Sequence, residues 1–156
     1  MTAPKLTSPG VVRALLDAHG IRLTKRYGQN FLCDENVVRR IAAAVPEGLG
    51  VLEIGPGLGT LTLALAARAP RVAAVEIDAR LLPLLRAHLA PHPHVEVIAG
   101  DALKVDWDAI SARLGAPHAV AANLPYQITS PLLERVVAHR KGIHSAVLMV
   151  QRELAQ

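Results

Sequence analysis

The stretch Asn123-Leu124-Pro125-Tyr126 combines groups that could hold a planar amine for a reaction. The Asn123 side-chain oxygen and the Leu124 carbonyl can both accept hydrogen bonds from an amino group. Pro125 fixes the local φ and has no competing N–H, and the Tyr126 ring gives a face on which a flipped-out base can stack. Two such acceptors stabilise the positive charge that grows on an aryl amine as it attacks a carbon electrophile. An isolated Asn-x-Pro-Tyr is more simply explained as a loop, so this interpretation depends on the surrounding pattern.

A glycine-rich turn at Gly55-Pro56-Gly57-Leu58-Gly59 offers a site for the second reactant. It follows a short apolar run from Val51 and precedes an amphipathic run, the strand-turn-helix order that binds nucleotide-like ligands in open α/β sheets. Dinucleotide sites have the wider G-x-G-x-x-G spacing. Glu53, just before the turn, suits a ligand with a cationic or amino group better than a phosphate. S-adenosylmethionine, with its sulfonium and free amino group, is such a ligand.

Acidic residues also follow the next two apolar runs. Glu76 lies 21 residues beyond Gly55, where a carboxylate can accept hydrogen bonds from both hydroxyls of a ribose. Asp101 is placed to accept a hydrogen bond from an exocyclic amine such as the adenine N6. Each acidic residue alone could instead cap the following helix, and we expect Asp78 to do so. Together with Asn123 after the fourth run, the set predicts an adenosine-type cofactor at the carboxyl ends of the strands.

The elements that must position these groups alternate between strands and helices. Nearly continuous apolar runs predict buried strands near residues 51–54, 72–76, 95–98, 119–122 and 145–150. Helical spacing and end signals predict helices over 8–20 (capped by Ser8), 34–45 (capped by Asp34), 61–69, 79–90, 107–114 and 131–139 (capped by Thr129 or Ser130). Pro83 falls near the start of its helix, where it is tolerated. The alternation predicts an α/β fold with a parallel sheet covered by helices on both faces.

Composition narrows the class of protein. The chain has 156 residues, the size of one domain, and no apolar run long enough to span a membrane. Cys33 is the single cysteine, which excludes an internal disulfide and fits a reducing compartment. Because the first residues lack a signal-peptide pattern, we expect a cytoplasmic protein.

The net charge of +4 is unevenly placed. Residues 1–40 carry seven Lys/Arg against three Asp/Glu, whereas the remaining residues carry ten of each sign. A basic arm beside a neutral core suggests a polyanion partner, although solvated surface charge is the simpler alternative. His88, His92 and His94 could suggest a metal site, but the prolines between them favour a solvated loop, and we expect no metal.

The chain resembles the KsgA family of small-subunit ribosomal RNA adenine dimethyltransferases from about Thr24 to Gln156. The motifs that carry the resemblance are Lys25-Arg26-Tyr27-Gly28-Gln29-Asn30-Phe31-Leu32, Glu53 to Gly59, Val75-Glu76-Ile77-Asp78, Gly100-Asp101-Ala102, Asn123-Leu124-Pro125-Tyr126 and Val150-Gln151-Arg152-Glu153. The resemblance implies a Rossmann-like class I S-adenosylmethionine-dependent methyltransferase fold. It also implies N6-dimethylation of two adjacent adenosines near the 3′ end of 16S rRNA, within the pre-30S particle, by a monomer that binds neither membrane nor metal.

The resemblance assigns roles to individual residues. It places Gln29, Asn30 and Leu32 over the methionine end of the cofactor, and Gly55 and Gly57 beneath it. It implies that Glu76 binds the ribose, that Ile77 lies against a face of the adenine, and that Asp101 and Ala102 contact the adenine edge. Asn123, Leu124, Pro125 and Tyr126 would receive the target adenosine, with Asn123 also contacting the cofactor.

The resemblance also implies how the chain is organised. We expect residues 1–45 to form a helical, basic extension that packs on a methyltransferase core over residues 46–156. Family members continue beyond Gln156 with two further strands, another aromatic residue at the target base and a helical C-terminal domain. The core is therefore expected to be incomplete, with an exposed sheet edge and one wall of the active site missing.

Three alternatives stay open at this level. The macrolide-resistance methyltransferases, which act on large-subunit rRNA, share the amide–aromatic motif but usually have Ser where this chain has Gly28. A non-catalytic RNA-binding assembly factor would use the basic arm alone. A nicotinamide oxidoreductase is disfavoured by the glycine spacing and by the lack of a residue suited to acid–base catalysis of hydride transfer.

Overall fold

A computed structural model describes residues 4–23, 31–124 and 128–150. The elements in chain order are α1 (Pro9–Ala18), α2 (Glu35–Ala44), β1 (Val51–Ile54), α3 (Thr60–Ala66), β2 (Val72–Glu76), α4 (Leu82–Leu89), β3 (Val95–Ala99), α5 (Trp107–Leu114), β4 (His118–Asn123), α6 (Thr129–Ala138), a 3-10 turn (Arg140–Gly142) and β5 (Ile143–Met149). None of the helices in these ranges is long and apolar enough to cross a bilayer.

The strands form one parallel sheet in the order β3-β2-β1-β4-β5. From β1 the chain moves outward through β2 and β3, then returns to the other side of β1 for β4 and β5. The direction therefore reverses between β1 and β4, and the carboxyl ends of these strands flank the crevice where open α/β sheets bind ligands. The predicted parallel α/β architecture is confirmed.

Helices cover both faces of the sheet because side chains alternate along each strand. On one face Leu52 and Val75 pack against Trp107 and Ile110 of α5 and Leu132 of α6. On the other face Val51 and Val72 pack against α2 and α3, through side chains such as Ile41, Leu61 and Leu65. The central strands β1, β2 and β4 are almost wholly buried, which explains their continuous apolar sequences, whereas β3 and β5 are only half-buried.

The first helix packs on the edge of the site rather than on the sheet itself. Val12 and Leu16 of α1 lie in one apolar cluster with Leu58 of the glycine turn and with Leu81 and Leu84 at the start of α4. The N-terminal residues are thereby fixed beside the turn. The division of the chain at residues 45 and 46 stays a prediction.

Helix ends agree with the sequence in some places and differ in others. Asp34 caps α2 as predicted, accepting from the amides of Asn36 (2.9 Å) and Val37 (3.3 Å). Ser8 precedes α1 without a side-chain capping bond. The predicted cap at Thr129 or Ser130 is wrong, because α6 already begins at Thr129 and Ile128 occupies the N-cap position.

Asp78 does not cap α4, contrary to the prediction. That helix begins at Leu82, after Leu81, while the Asp78 carboxylate forms an ion pair of 2.7 Å with the Arg80 guanidinium. Arg80 also donates its Nε to the other oxygen of Asp78 at 3.0 Å. The planar guanidinium matches two carboxylate oxygens at once, and Oδ1 also accepts from the Arg80 backbone amide at 3.0 Å, in the turn before α4. Pro83 lies in the first turn of α4, as expected.

Candidate active site

Four strand ends bring the predicted site residues to one edge of the sheet. Ile54 is aligned with Val75 of β2 and with Ala122 of β4, so Gly55 follows β1 between Glu76 and Asn123. Glu76 is aligned with Ala99, and the Gly100 amide donates to the Glu76 carbonyl at 3.0 Å. Gly55, Glu76, Gly100 and Asn123 thus lie along one row at the ends of their strands.

The glycine turn needs glycine for two different reasons. Gly55 has φ +69°, in the left-handed region, and a Cβ built there meets no heavy atom within 4 Å, so it would project into open space above the turn. Gly57 has φ +61°, and a Cβ there would lie 3.0 Å from the Phe31 ring. The turn therefore presents bare backbone to an open cradle on one side and packs closely against the protein on the other.

Glu76 ties the end of β2 to the glycine turn. One carboxylate oxygen accepts from the Gly57 amide and the other from the Asp78 amide, each at 2.9 Å, and the residue is 5% exposed. Burial raises the pKa of Glu76, and the two amide hydrogen bonds oppose that rise. A carboxylate oxygen accepts more than one hydrogen bond, so the group keeps capacity for ribose hydroxyls.

Glu53 differs from its expected position at the ligand. It is 1% exposed, and one carboxyl oxygen accepts from the Thr62 hydroxyl in the first turn of α3 at 2.5 Å. Burial, together with the nearby charge of Glu76, raises the pKa of Glu53 to about 8, against the lowering effect of the Thr62 bond. At neutral pH the group is mainly protonated, so it links β1 to α3 beneath the turn and presents no charge to a ligand.

The residues predicted to contact adenine lie on either side of the β2 and β3 ends. Ile77 is 46% exposed although it follows a buried strand, which leaves an apolar surface beside Glu76. One oxygen of Asp101 accepts from the Leu103 amide at 2.9 Å, and the other has no hydrogen-bond partner among the described residues. Ala102 is buried, and its carbonyl accepts from the Trp107 indole at 2.9 Å.

Asn123 is the last residue of β4, half-buried and aligned with Met149 of β5. The Leu124 amide donates to the Met149 carbonyl at 3.0 Å, and the Leu124 side chain lies in the apolar core. The backbone after Asn123 is therefore held on the line of the strand. Pro125 and Tyr126 lie outside the described residues, as do Gln29 and Asn30, while Leu32 packs against the cluster that α2 and α3 form.

Comparison with known proteins identifies the family. Residues 20–156 match the family described as ribosomal RNA adenine dimethylase. The chain belongs to this family. Among curated dimethylase relatives, the ribosomal RNA small subunit methyltransferase A of Deinococcus radiodurans is 52% identical over 153 residues, 97% of this chain and 50% of the relative. The chain spans about half the length of the curated relatives it matches.

Solved structures show the same fold. The 23S rRNA methyltransferase ErmE is 38% identical with a TM-score of 0.71, over 81% of this chain and 50% of that one. A dimethyladenosine transferase from Plasmodium falciparum is 32% identical with a TM-score of 0.66, over 78% of this chain and 43% of the other. The predicted Rossmann-like methyltransferase fold and the resemblance to the dimethylase family are both confirmed.

The dimethylase family uses S-adenosylmethionine, and the residues of this site fit that cofactor. The open space at Gly55 is a cradle that a side chain would fill. Beside it lie the buried Glu76 carboxylate and the exposed apolar surface of Ile77, which match a ribose diol and an adenine face. Acceptor groups and an apolar surface thus stand where a nucleoside needs them.

Arg135 on α6 supports the adenine side of the site and was not predicted. Its guanidinium donates to the carbonyls of Leu103 and Val105 and lies 5.3 Å from the centre of the Trp107 ring. These bonds hold the loop between β3 and α5 that carries Asp101. No sequence signal points to them, because partners some 30 residues apart meet only in the folded sheet.

The connector that bears Gln29 and Asn30 is held beside the site at its described ends. Arg80 donates to the Arg22 carbonyl at 2.8 Å, and Phe31 packs against Gly57. The Asp78–Arg80 pair therefore joins the N-terminal residues to the end of β2.

The histidines considered for a metal serve other contacts. His88 is hydrogen-bonded to the Leu58 carbonyl at 2.7 Å and His94 to the Ala66 carbonyl at 2.8 Å. Within the described ranges, no three His, Cys, Asp or Glu side chains are grouped to hold a metal ion.

Proposed function

We propose that this chain transfers methyl groups from S-adenosylmethionine to the N6 atoms of two adjacent adenosines near the 3′ end of 16S rRNA, giving dimethyladenosines during ribosome biogenesis. The observation that carries the proposal is the position of Asn123 directly beside the glycine turn, at the reversal point of the sheet. The curated relatives named ribosomal RNA small subunit methyltransferase A support the choice of substrate.

The cofactor side of the mechanism consists of positioning. Gly55 and Gly57 lie beneath the ligand, Glu76 accepts from the ribose, Ile77 covers one face of the adenine, and Asp101 and Ala102 meet its edge. Gln29, Asn30, Leu32 and Asn123 complete the methionine end. When bound, S-adenosylmethionine supplies a methyl group made electrophilic by its sulfonium. The open cradle at Gly55 and the buried Glu76 support this assignment.

The residues from Asn123 to Tyr126 orient the N6 amine of the target adenosine and stabilise its charge. In the first transfer the Asn123 side-chain oxygen and the Leu124 carbonyl accept the two N6 hydrogens and hold the nitrogen lone pair toward the cofactor. In the second transfer one of these oxygens accepts the single N6 hydrogen that remains. Pro125 and Tyr126 shape the loop and stack on the base. As positive charge grows on the nitrogen, the two oxygens stabilise it. The extra proton leaves to water after transfer, so no general base precedes attack. The hydrogen bond from the Leu124 amide to Met149 supports this role, because it fixes the peptide.

The wider assignments belong to the same proposal. The chain acts in the cytoplasm on the pre-30S particle, as a monomer without a metal, with residues 1–45 as a basic extension of the core formed by 46–156. The excess of positive charge in the first 40 residues supports contact with RNA phosphates, and the packing of α1 on Leu58 supports an extension fixed beside the site.

The test is mass analysis of small-subunit RNA, naked and partly assembled, after incubation with the protein and S-adenosylmethionine. We expect two methyl groups on each of two adjacent adenosines. RNA that is bound but not methylated, by a protein that also binds the cofactor, would indicate an assembly factor instead.

A second candidate substrate is 23S rRNA, which the similarity to ErmE favours. The same assay with large-subunit RNA separates the two candidates. Methylation of large-subunit RNA alone would overturn the small-subunit assignment.

A further inference from the structure

A cavity of about 290 Å³ lies at the opposite edge of the sheet from the active site. His118 at its floor begins β4, whereas Asn123 ends the same strand, roughly 16 Å away along the strand direction. Trp107 and Ser111 of α5 form one side, and the residues from Ala138 to Gly142, between α6 and β5, form the other. Of these residues only Trp107 is linked to the methyl-transfer site, through the bond from its indole to the Ala102 carbonyl.

The floor of the cavity carries an unsatisfied polar atom. His118 is 2% exposed, with Nδ1 3.1 Å from the Ser111 hydroxyl. Among the described residues no group meets hydrogen-bond geometry with its buried Nε2, while an interaction of the ring with the Gly142 backbone favours the charged form. Burial, and then the charge of His139, lower the pKa of His118. A neutral ring with one unpartnered nitrogen gains a hydrogen bond from a ligand that reaches it.

The rim of the cavity carries unpaired positive charge. Arg140 and Lys141 are exposed, and neither forms an ion pair with a carboxylate of the described residues. By contrast, the exposed arginines Arg39 and Arg113 each pair with a glutamate. One carboxylate also lies at the rim, that of Asp108, 4.0 Å from His139. Two permanent cations against one carboxylate leave the rim suited to an anion.

The walls leave room for more than a small ion. The His139 ring lies against Trp107 with centroids 5.3 Å apart. Gly142 has no side chain, and a Cβ there would come within 3.2 Å of the Ser111 hydroxyl, so glycine keeps the polar floor open. The cavity combines a cationic rim, imidazole and indole walls and a deep hydrogen-bonding group.

We propose that this cavity binds a sugar–phosphate unit of the rRNA strand, with the phosphate on Arg140 and Lys141 and a ribose hydroxyl on His118. A 2′-hydroxyl both donates and accepts, so it satisfies Nε2 in either tautomer of the ring. An ionised acidic side chain can only accept, so it satisfies Nε2 in one tautomer but not in the other. The inference rests on the proposed function, because it extends the RNA contact to the far edge of the sheet.

Charge reversal tests the rim. The double substitution Arg140→Glu with Lys141→Glu should weaken binding of naked 16S rRNA at least 10-fold and lower the slope of log K against log salt by about two. Cofactor affinity should not change. The control is Arg86→Glu, an exposed arginine on α4 outside the cavity, which should have a much smaller effect per reversed charge. Equal losses in the two proteins would overturn the proposal, as would a loss seen only with assembled particles, which would indicate a protein partner.

The floor is tested by a substitution that leaves charge unchanged and by a spectroscopic signal. Ala138→Phe places a ring at the mouth of the cavity and should weaken RNA binding several-fold. The ¹⁵N signal of His118 Nε2 should shift when RNA is added, and shift much less with DNA of the same sequence, because the 2′-hydroxyl is missing. An unchanged signal with RNA would overturn the proposal.

These results are separable from the test of methyl transfer. A wild-type protein that methylates 16S rRNA, with all cavity variants unaffected, would refute the cavity assignment alone. A wild-type protein that binds RNA through this cavity but transfers no methyl group would refute the proposed reaction alone.

Discussion

Glu53 and Glu76 lie on neighbouring strands below the glycine turn, and the protein holds their carboxyl groups in different ways. Glu76 accepts from two backbone amides, one of them in the glycine turn, whereas Glu53 accepts from the Thr62 hydroxyl. We therefore propose that Glu76 binds the ligand and that Glu53 is a structural link. Each assignment has its own measurable consequence.

Replacement of Glu76 by Ala should weaken cofactor binding by about 1–3 kcal/mol, because charge-assisted bonds to the ribose are lost. Calorimetric titration with S-adenosylmethionine measures the change. Glu134→Ala, at an exposed position on α6, is the matched control and should leave the affinity unaltered. Equal cofactor affinity of Glu76→Ala and this control would show that the Glu76 carboxylate does not bind the ribose.

Glu53→Gln should change the pH dependence of stability. The folded-state pKa of about 8 exceeds the unfolded value near 4.5, so the folded protein binds the extra proton. The resulting stabilisation is fully present below pH 4.5 and is lost as the pH rises toward 8, by about 1.4 kcal/mol per pH unit. Denaturant unfolding between pH 5 and 8 should show that the Gln variant lacks this contribution. Parallel pH profiles for the two proteins would show that Glu53 titrates normally.

At the scale of elements, the site consists of loops that the sheet and helices hold from behind. The glycine turn is fixed by Glu76 and Phe31, and the loop after β3 by Arg135 and Trp107. Ligand groups then meet backbone that is already ordered, which lowers the entropy cost of binding.

Gly55→Ala tests the cradle. The new methyl group enters the open space above the turn, and the positive φ adds about 1–2 kcal/mol of backbone strain. Cofactor affinity should fall at least 10-fold. Gly48→Ala is a close control, since Gly48 also has a positive φ (+83°) and open space around it but lies before β1, away from the site. The Gly48 variant should lose similar stability and keep its cofactor affinity. A Gly55 variant that also kept its cofactor affinity would show that the cofactor does not bind above Gly55.

Arg135→Met tests the support of the loop after β3. Two backbone carbonyls lose their donors, so amide hydrogen exchange over residues 101–106 should accelerate at least 10-fold, with weaker cofactor binding. Exchange in the glycine turn should stay slow. An unchanged loop would mean that Trp107 alone is sufficient to hold it.

At the scale of the whole molecule, much of the fold followed from the sequence. The continuous apolar runs of β1, β2 and β4 required burial on both faces, and the order of strands and helices required parallel pairing. The strand order could not be derived in this way, because it depends on long-range contacts such as those of β4 with β1. The resemblance to the dimethylase family supplied the rRNA substrate and the roles of the connector residues, which hydrophobic periodicity does not predict.

The site was predicted unevenly for physical reasons. Gly55, Glu76 and Asn123 could be predicted as site residues because each stands at the end of an apolar run. In a parallel sheet the carboxyl ends of neighbouring strands lie at the same edge. The internal position of Glu53 was missed because its partner Thr62 meets it only when α3 packs against β1. The rim at Arg140 and Lys141 was missed because net charge was summed over 116 residues, which conceals a local cluster.

We propose that Asn123 presents a purine amine to the cofactor at the reversal point of the sheet. The measurement that decides this is methyl transfer to 16S rRNA by the Asn123→Ala variant, followed by mass analysis beside a calorimetric titration of the cofactor. Transfer should be abolished while cofactor affinity stays nearly intact. Transfer at the wild-type rate, or loss of cofactor binding as the sole cause of inactivity, would contradict it.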